Sequence, residues 1–196
     1  MPAQRFRLAV LLVVLGLPLA ARAQSDPVPS GPQVEVVLGA AVDLGGDRVY
    51  EIVYEDGSDA TYRAGQGFTF LGGALVRPSA TSPFGLRATV GYKFMETSAE
   101  NGTIRFNRFP VQGVALFNAT PDLFVGAGYT FQAGIAIDGD DIGPDLAFDA
   151  TGGPTVEAGW RWIAATATWM TYTDEFGETY DANAYGLAAR VGFPIR

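Results

Sequence analysis

The 196-residue chain contains no cysteine, no histidine and a single lysine, Lys93. Without cysteine there are no disulfides and no lipid-modified cysteine, so stability must come from backbone pairing and packing. Without histidine, hydrolysis by a serine–histidine pair is excluded, and general-base catalysis near neutral pH loses its usual residue. Lys and Arg together number 13 against 21 acidic residues, a formal net charge of −8, which argues against a nucleic-acid surface. Beyond the N-terminal segment no apolar run reaches the roughly 18 residues of a membrane-spanning helix, and no helical period competes.

Residues 1–23 read as a cleaved secretory signal. Arg5 and Arg7 make a positive start, Leu8 to Leu19 an apolar centre, and Ala21-Arg22-Ala23 a small-residue site cut before Gln24. Its removal takes away three arginines and no acids, moving the net charge from −8 to −11. Residues 24–32 form a short linker and 33–196 a single domain.

That domain is written in a two-residue period. In FGLRATVGYKFM, Phe84, Leu86, Ala88, Val90, Tyr92 and Phe94 alternate with Gly85, Arg87, Thr89, Gly91, Lys93 and Met95. Such alternation marks a strand with one apolar face. Seven more segments behave alike, beginning near Val34, Phe68, Ile104, Leu123, Val156, Ile163 and Tyr185. In the fourth, Ile104 and Phe106 fall out of phase, which predicts a bulge near Asn107 and Arg108. Connections alternate in length. Ser79 to Pro83, Asn118 to Asp122 and Arg161 to Ile163 are short. Gly45 to Gly65, Glu96 to Thr103, Ile137 to Asp149 and Thr173 to Asp181 are long.

Eight strands with sorted loops predict an all-β, eight-stranded antiparallel transmembrane barrel, an up-and-down meander. A soluble barrel of lipocalin type is the rival. Three patterns favour lipid outside. The minority face carries glycine, threonine and the charges Glu35, Arg87, Lys93, Arg108, Glu157, Arg161 and Arg190. These suit a narrow interior filled by ion pairs, with Glu35 and Glu157 as partners for Arg87 and Lys93. Aromatics gather near strand ends, Phe84, Phe117, Trp160, Trp162 and Phe193 at one end and Tyr92, Phe94, Phe131, Trp169 and Tyr185 towards the other, as interfacial girdles do. The four long loops hold 16 acids against Arg48 and Arg63, while the outward faces are almost free of charge.

RFPVQGVALFN (Arg108 to Asn118), followed by TPDLFVGAGYT, and the closing strand YGLAARVGF resemble the small outer-membrane β-barrels of Gram-negative bacteria, of the OmpA-transmembrane-domain, OmpX and OmpW types. The chain departs from them by ending in Pro194-Ile195-Arg196 rather than on an aromatic. The resemblance implies a cell outer-membrane location among lipid and lipopolysaccharide, with insertion by the barrel assembly machinery. Lipid A deacylase and palmitoyltransferase barrels resemble this chain in size, but their families use the histidine missing here.

Three motifs remain. GQGFTFLGG (Gly65 to Gly73) leads into a strand, not the helix a nucleotide loop requires. IDGDDIGPD (Ile137 to Asp145) offers Asp138, Asp140, Asp141 and Asp145 as oxygen ligands for a divalent cation without the EF-hand spacing. Such ions would bridge acidic loops to lipopolysaccharide phosphates. The Tyr50 to Ala64 stretch, with Asp56-Gly57 between β-formers, predicts a protruding hairpin open to a partner by β-augmentation. The expectation is a non-enzymatic barrel without cofactor, in a structural or surface-interaction role. The alternatives are a narrow solute pore or carrier and, behind it, a lipid-modifying enzyme.

Overall fold

The structure, a computed structural model, describes residues 31–53, 59–99, 102–139 and 145–195. The signal, most of the linker, the Asp56-Gly57 turn, Asp140, Asp141 and Arg196 lie outside the described residues.

Eight strands form the wall: β1 (Gln33–Leu44), β4 (Gly67–Arg77), β5 (Phe84–Ala99), β6 (Gly102–Asn118), β7 (Leu123–Asp138), β9 (Thr151–Trp160), β10 (Ile163–Thr168) and β13 (Ala184–Pro194). Each pairs antiparallel with its neighbour, and β13 returns to β1, with Val36 opposite Phe193 and Leu44 opposite Tyr185. Closure leaves the wall without an edge. Five short strands complete the fold beyond the long-loop end: β2 (Arg48–Val53) with β3 (Asp59–Arg63), β8 (Leu146–Phe148) on β7, and β11 (Thr171–Thr173) with β12 (Thr179–Asp181).

The outward positions of the wall, including Leu38, Phe70, Leu86, Val111, Val125 and Leu187, are exposed and form a band without a charge. The inward positions hold the buried Arg87, Thr89, Lys93, Arg108, Thr130 and Glu157. A sheet closed around its charges with its hydrocarbon side chains outside is the inverse of a soluble barrel. Hydrocarbon is the solvent in which it is stable. Trp160, Trp162, Phe84, Phe117 and Phe193 ring the short-turn end. Tyr92, Trp169 and Tyr185 are exposed higher on the wall, and Phe94 is half-buried there.

Strands β5, β6 and β7 run 16, 17 and 16 residues, beyond the roughly 9–11 that cross a bilayer. Their upper parts stand in water, so the polarity rule turns over. On β6, Ile104, Phe106 and Arg108 all face inward in phase with Val114 and Leu116, and Arg105 faces out. The expected bulge near Asn107 and Arg108 is therefore absent from β6. The apolar residues changed sides there because the solvent outside changed. The bulge lies across the ladder on β7, where the register slips between Asn107↔Ala136 and Phe109↔Ala133. Gly134 takes φ +58 at that point, a conformation glycine adopts without strain. Outward odd positions from Leu123 to Phe131 become inward at Ile135 and Ile137.

Above the membrane span these residues join Tyr62, Ala64, Phe148, Met170, Tyr172 and Ala182 in a second, water-excluding core. The long loops are thus a folded cap. Asp47 N–H donates to Asp181 O at 2.6 Å and Asp149 N–H to Thr173 O at 2.8 Å, tying the short strands to one another.

Val90, 62% exposed at mid-wall, tests the lipid-facing assignment. Val90→Arg should lower stability by about 2–4 kcal/mol in urea unfolding from lipid vesicles, the depth-dependent cost of a charge at the bilayer midplane. A change within about 0.5 kcal/mol, typical of a water-facing surface, would contradict it.

Candidate functional site

The barrel interior is layered by charge, and strand alternation decides what enters it. Starting at the short-turn end, Glu35 of β1 pairs with Arg77 of β4. Val37, Leu75, Val114 and Leu116 pack beside them with Leu71 and Phe124. A buried triad follows: Arg87 Nη2 donates to Glu157 Oε2 at 2.6 Å, and Arg190 Nη1 reaches the same oxygen at 3.0 Å. Arg87 also donates to Gln112 Oε1 at 3.3 Å, and Gln112 passes a donor to Thr130 Oγ1 at 2.9 Å. Above the triad a cavity of about 70 Å³ is lined by Thr69, Thr89, Thr130, Thr166, Thr168 and Gln132, among others.

The next layer is cationic and holds a lid. Lys93 Nζ lies 2.9 Å from Asp43 Oδ2 and donates to Gly65 O at 2.7 Å. Arg108, fully buried, donates to Ala64 O at 2.8 Å and to Gln66 O at 2.6 Å. Its guanidinium carbon sits 3.8 Å from the Phe106 ring centroid. The backbone of residues 64–66, which links β3 to β4, is therefore drawn across the mouth by two buried cations. Higher still, Tyr62 O–H donates to Ile104 O at 2.9 Å and Tyr172 O–H to Gln132 Oε1 at 2.5 Å. Burial pushes the Tyr172 phenol up, against the opposing pull of Arg108. On the rim, partial burial and the carboxylates of Glu178 and Asp174 push the Tyr180 phenol up to about 12.

Of the seven interior charges expected, Arg87, Lys93, Arg108, Glu157 and Arg190 point inward and Glu35 lies at the lower mouth. Arg161 does not. It takes φ +56 in the tight turn between β9 and β10, with Nε donating to Asp122 Oδ1 at 3.1 Å and its guanidinium 4.5 Å from the Trp160 ring centroid. A two-residue hairpin demands positive φ, and alternation ends where the strand ends. The pairing also differs from expectation. Lys93 is matched by Asp43 rather than by Glu35 or Glu157, and Glu35 by Arg77. Asp43 and Arg77 continue the inward parity of their strands, so the signal was present. Glycine provides the room: a Cβ at Gly186 would collide with the Asp43 carboxylate.

The Tyr50 to Ala64 hairpin has its arms paired, Glu51 opposite Thr61 and Val53 opposite Asp59. It folds onto the cap core through Tyr62 rather than standing free, and its outer face presents Arg48, Glu51 and Arg63. In the acidic loop, Asp145 Oδ1 accepts from Gly139 N–H at 2.9 Å. Among the described residues no three carboxylates come together as a metal site.

No family model matches the chain, and no curated protein matches it. Among solved structures it is similar to the crystal structure of Ail, the attachment invasion locus protein of Yersinia pestis, in complex with the heparin analogue sucrose octasulfate. The identity is 12%, the alignment covers 82% of this chain and 99% of that one, and the TM-score is 0.37.

Glu157 is the carboxylate that ion-pairs with both Arg87 and Arg190. Glu157→Ala should cost about 3–5 kcal/mol, because it leaves two buried cations uncompensated. Replacing all three residues by leucine should recover most of that loss in the same urea titration. Equal stability of Glu157→Ala and the parent barrel would show the triad to be hydrated and weak.

Proposed function

We propose that the chain is an integral protein of the cell outer membrane whose working part is the cap, a rigid surface held above the bilayer for contact with partners. The observation that supports this reading is the sealing of the lumen. Lys93 and Arg108 hold residues 64–66 over it, the Tyr62–Tyr172 core fills the space above, and the Arg87–Glu157–Arg190 layer crosses it below. A chain built to pass solutes would not invest its longest strands in closing the path. The role is read as non-enzymatic, in keeping with the lack of histidine, the usual general base near neutral pH, from the whole chain.

Several parts of the same reading rest on sequence. The signal directs export, the closing strand is read by the barrel assembly machinery, and lipopolysaccharide surrounds the outer rim. Divalent cations at Asp138, Asp140, Asp141 and Asp145 would tie the acidic cap to lipopolysaccharide phosphate. A partner would meet the outer face of the β2–β3 hairpin at Arg48, Glu51 and Arg63. A narrow pore is the second reading, favoured by the internal cavities of about 70 Å³ and 160 Å³ on either side of the triad.

The cysteine-free chain makes the test direct. Glu51→Cys should react with a membrane-impermeant maleimide on intact cells, and Ser79→Cys only after the outer membrane is permeabilised. The reverse pattern, or labelling of a soluble periplasmic pool, would defeat the proposal. In planar bilayers the purified barrel should be electrically silent, whereas steady unitary steps would favour the pore.

A further inference from the structure

The interior charges do not balance. Among the described residues the inward faces hold the carboxylates Glu35, Asp43 and Glu157 against the cations Arg77, Arg87, Lys93, Arg108 and Arg190. In the lower half one carboxylate serves two guanidiniums, because Arg87 and Arg190 converge on a single oxygen of Glu157. Arg77 is already matched by Glu35. One positive charge is left over in a low-dielectric space, where an uncompensated ion is costly.

The surplus faces a cavity. Between the triad and the short turns lies a space of about 160 Å³, lined by Arg77, Arg87, Arg190 and Trp162 among others; its carboxylates Glu35 and Asp122 are each matched, to Arg77 and to Arg161. The Arg87 side chain is 4% exposed, and its Nε–H finds no acceptor among the described residues. Arg190 Nε–H is in the same condition, while Glu157 keeps one acceptor, Oε1, unmatched. Guanidinium groups present several donors in a fixed plane and are matched best by oxyanions. The volume exceeds the roughly 30 Å³ share of one water and accommodates a tetrahedral ion.

We propose that this cavity at the short-turn end is a binding site for one small oxyanion of the phosphate class, held by Arg77, Arg87 and Arg190. Two sources share that chemistry: free inorganic phosphate, and the phosphodiester of a lipid headgroup at the neighbouring membrane face.

The test uses the whole mature barrel refolded in uncharged detergent at fixed ionic strength, with Trp160 and Trp169 replaced by phenylalanine so that Trp162 reports alone. Inorganic phosphate titrated against chloride should give a saturable change in Trp162 fluorescence. At 100 times Kd the unfolding equilibrium constant should fall about 100-fold. In the second arm phosphatidylglycerol is added to the micelles in chloride. If the headgroup is the source, the lipid gives the response and phosphate competes with it. Arg190→Gln leaves Glu157 matched to Arg87 and removes the surplus, so both responses should vanish while heat-modifiable gel mobility persists. Equal responses in the parent and Arg190→Gln would overturn the proposal, as would no response in either arm. Should Arg190→Gln fail to fold, the parent titration decides alone: saturation supports the site and a flat trace refutes it.

Discussion

A chain that crosses hydrocarbon as strands must find a partner for every backbone N–H and C=O within itself. The closure of β13 on β1 meets that demand, and the other features follow from it. Closing eight strands fixes a narrow lumen. That lumen must be filled by alternate side chains while the other face meets lipid. Charges expelled from the lipid face have only two places to go: into the lumen, where they need partners, or past the membrane, where water accepts them. The chain uses both. Its acids crowd the cap and its cations gather inside.

The crossing from lipid to water imposes a second constraint, met differently on two adjacent strands. On β6 the sequence itself changes parity, with Ile104 and Phe106 taking the inward positions that Gln112 and Arg108 hold lower down. On β7 the apolar residues keep odd parity from Leu123 through Ile137, and the backbone changes instead, by a bulge at Gly134. A Cβ at that glycine would sit 2.9 Å from the Phe109 ring, so the bulge is packed as well as turned. Both routes deliver isoleucine and phenylalanine to one core above the bilayer.

The barrel was legible in the sequence because lipid imposes one rule over long stretches, and a two-residue period repeated eight times is hard to mistake. The interior was legible only in part. Parity says that Glu35, Asp43 and Lys93 face inward. It does not say who meets whom, since partners such as Lys93 and Asp43 lie on strands that are not adjacent in the ladder, and their heights depend on stagger. Arg161 escapes the parity rule because a turn resets parity within one residue. The phase change at Ile104 and Phe106 reads as a bulge only while apolar is taken to mean outward; with water outside, β6 needs none, and the bulge lies on β7. The cap core was invisible while apolar was equated with outward, a rule that fails once water replaces lipid.

The position of Asp43 bears on the order in which the molecule comes together. It sits on β1, one side of the seam, and the glycine that makes space for it, Gly186, sits on β13, the other side. Joining strands so distant in sequence is the slow step of such a topology. Until the seam forms, the lumen is open to water, and Lys93 and Arg108 keep their hydration. When it forms, Gly186 closes over the Asp43–Lys93 pair, which the β1–β4–β5 pairing has already brought together, as the cations lose water. Burial of charge and completion of the wall are then a single event, and the chain passes through no stage with a naked ion in a dry interior.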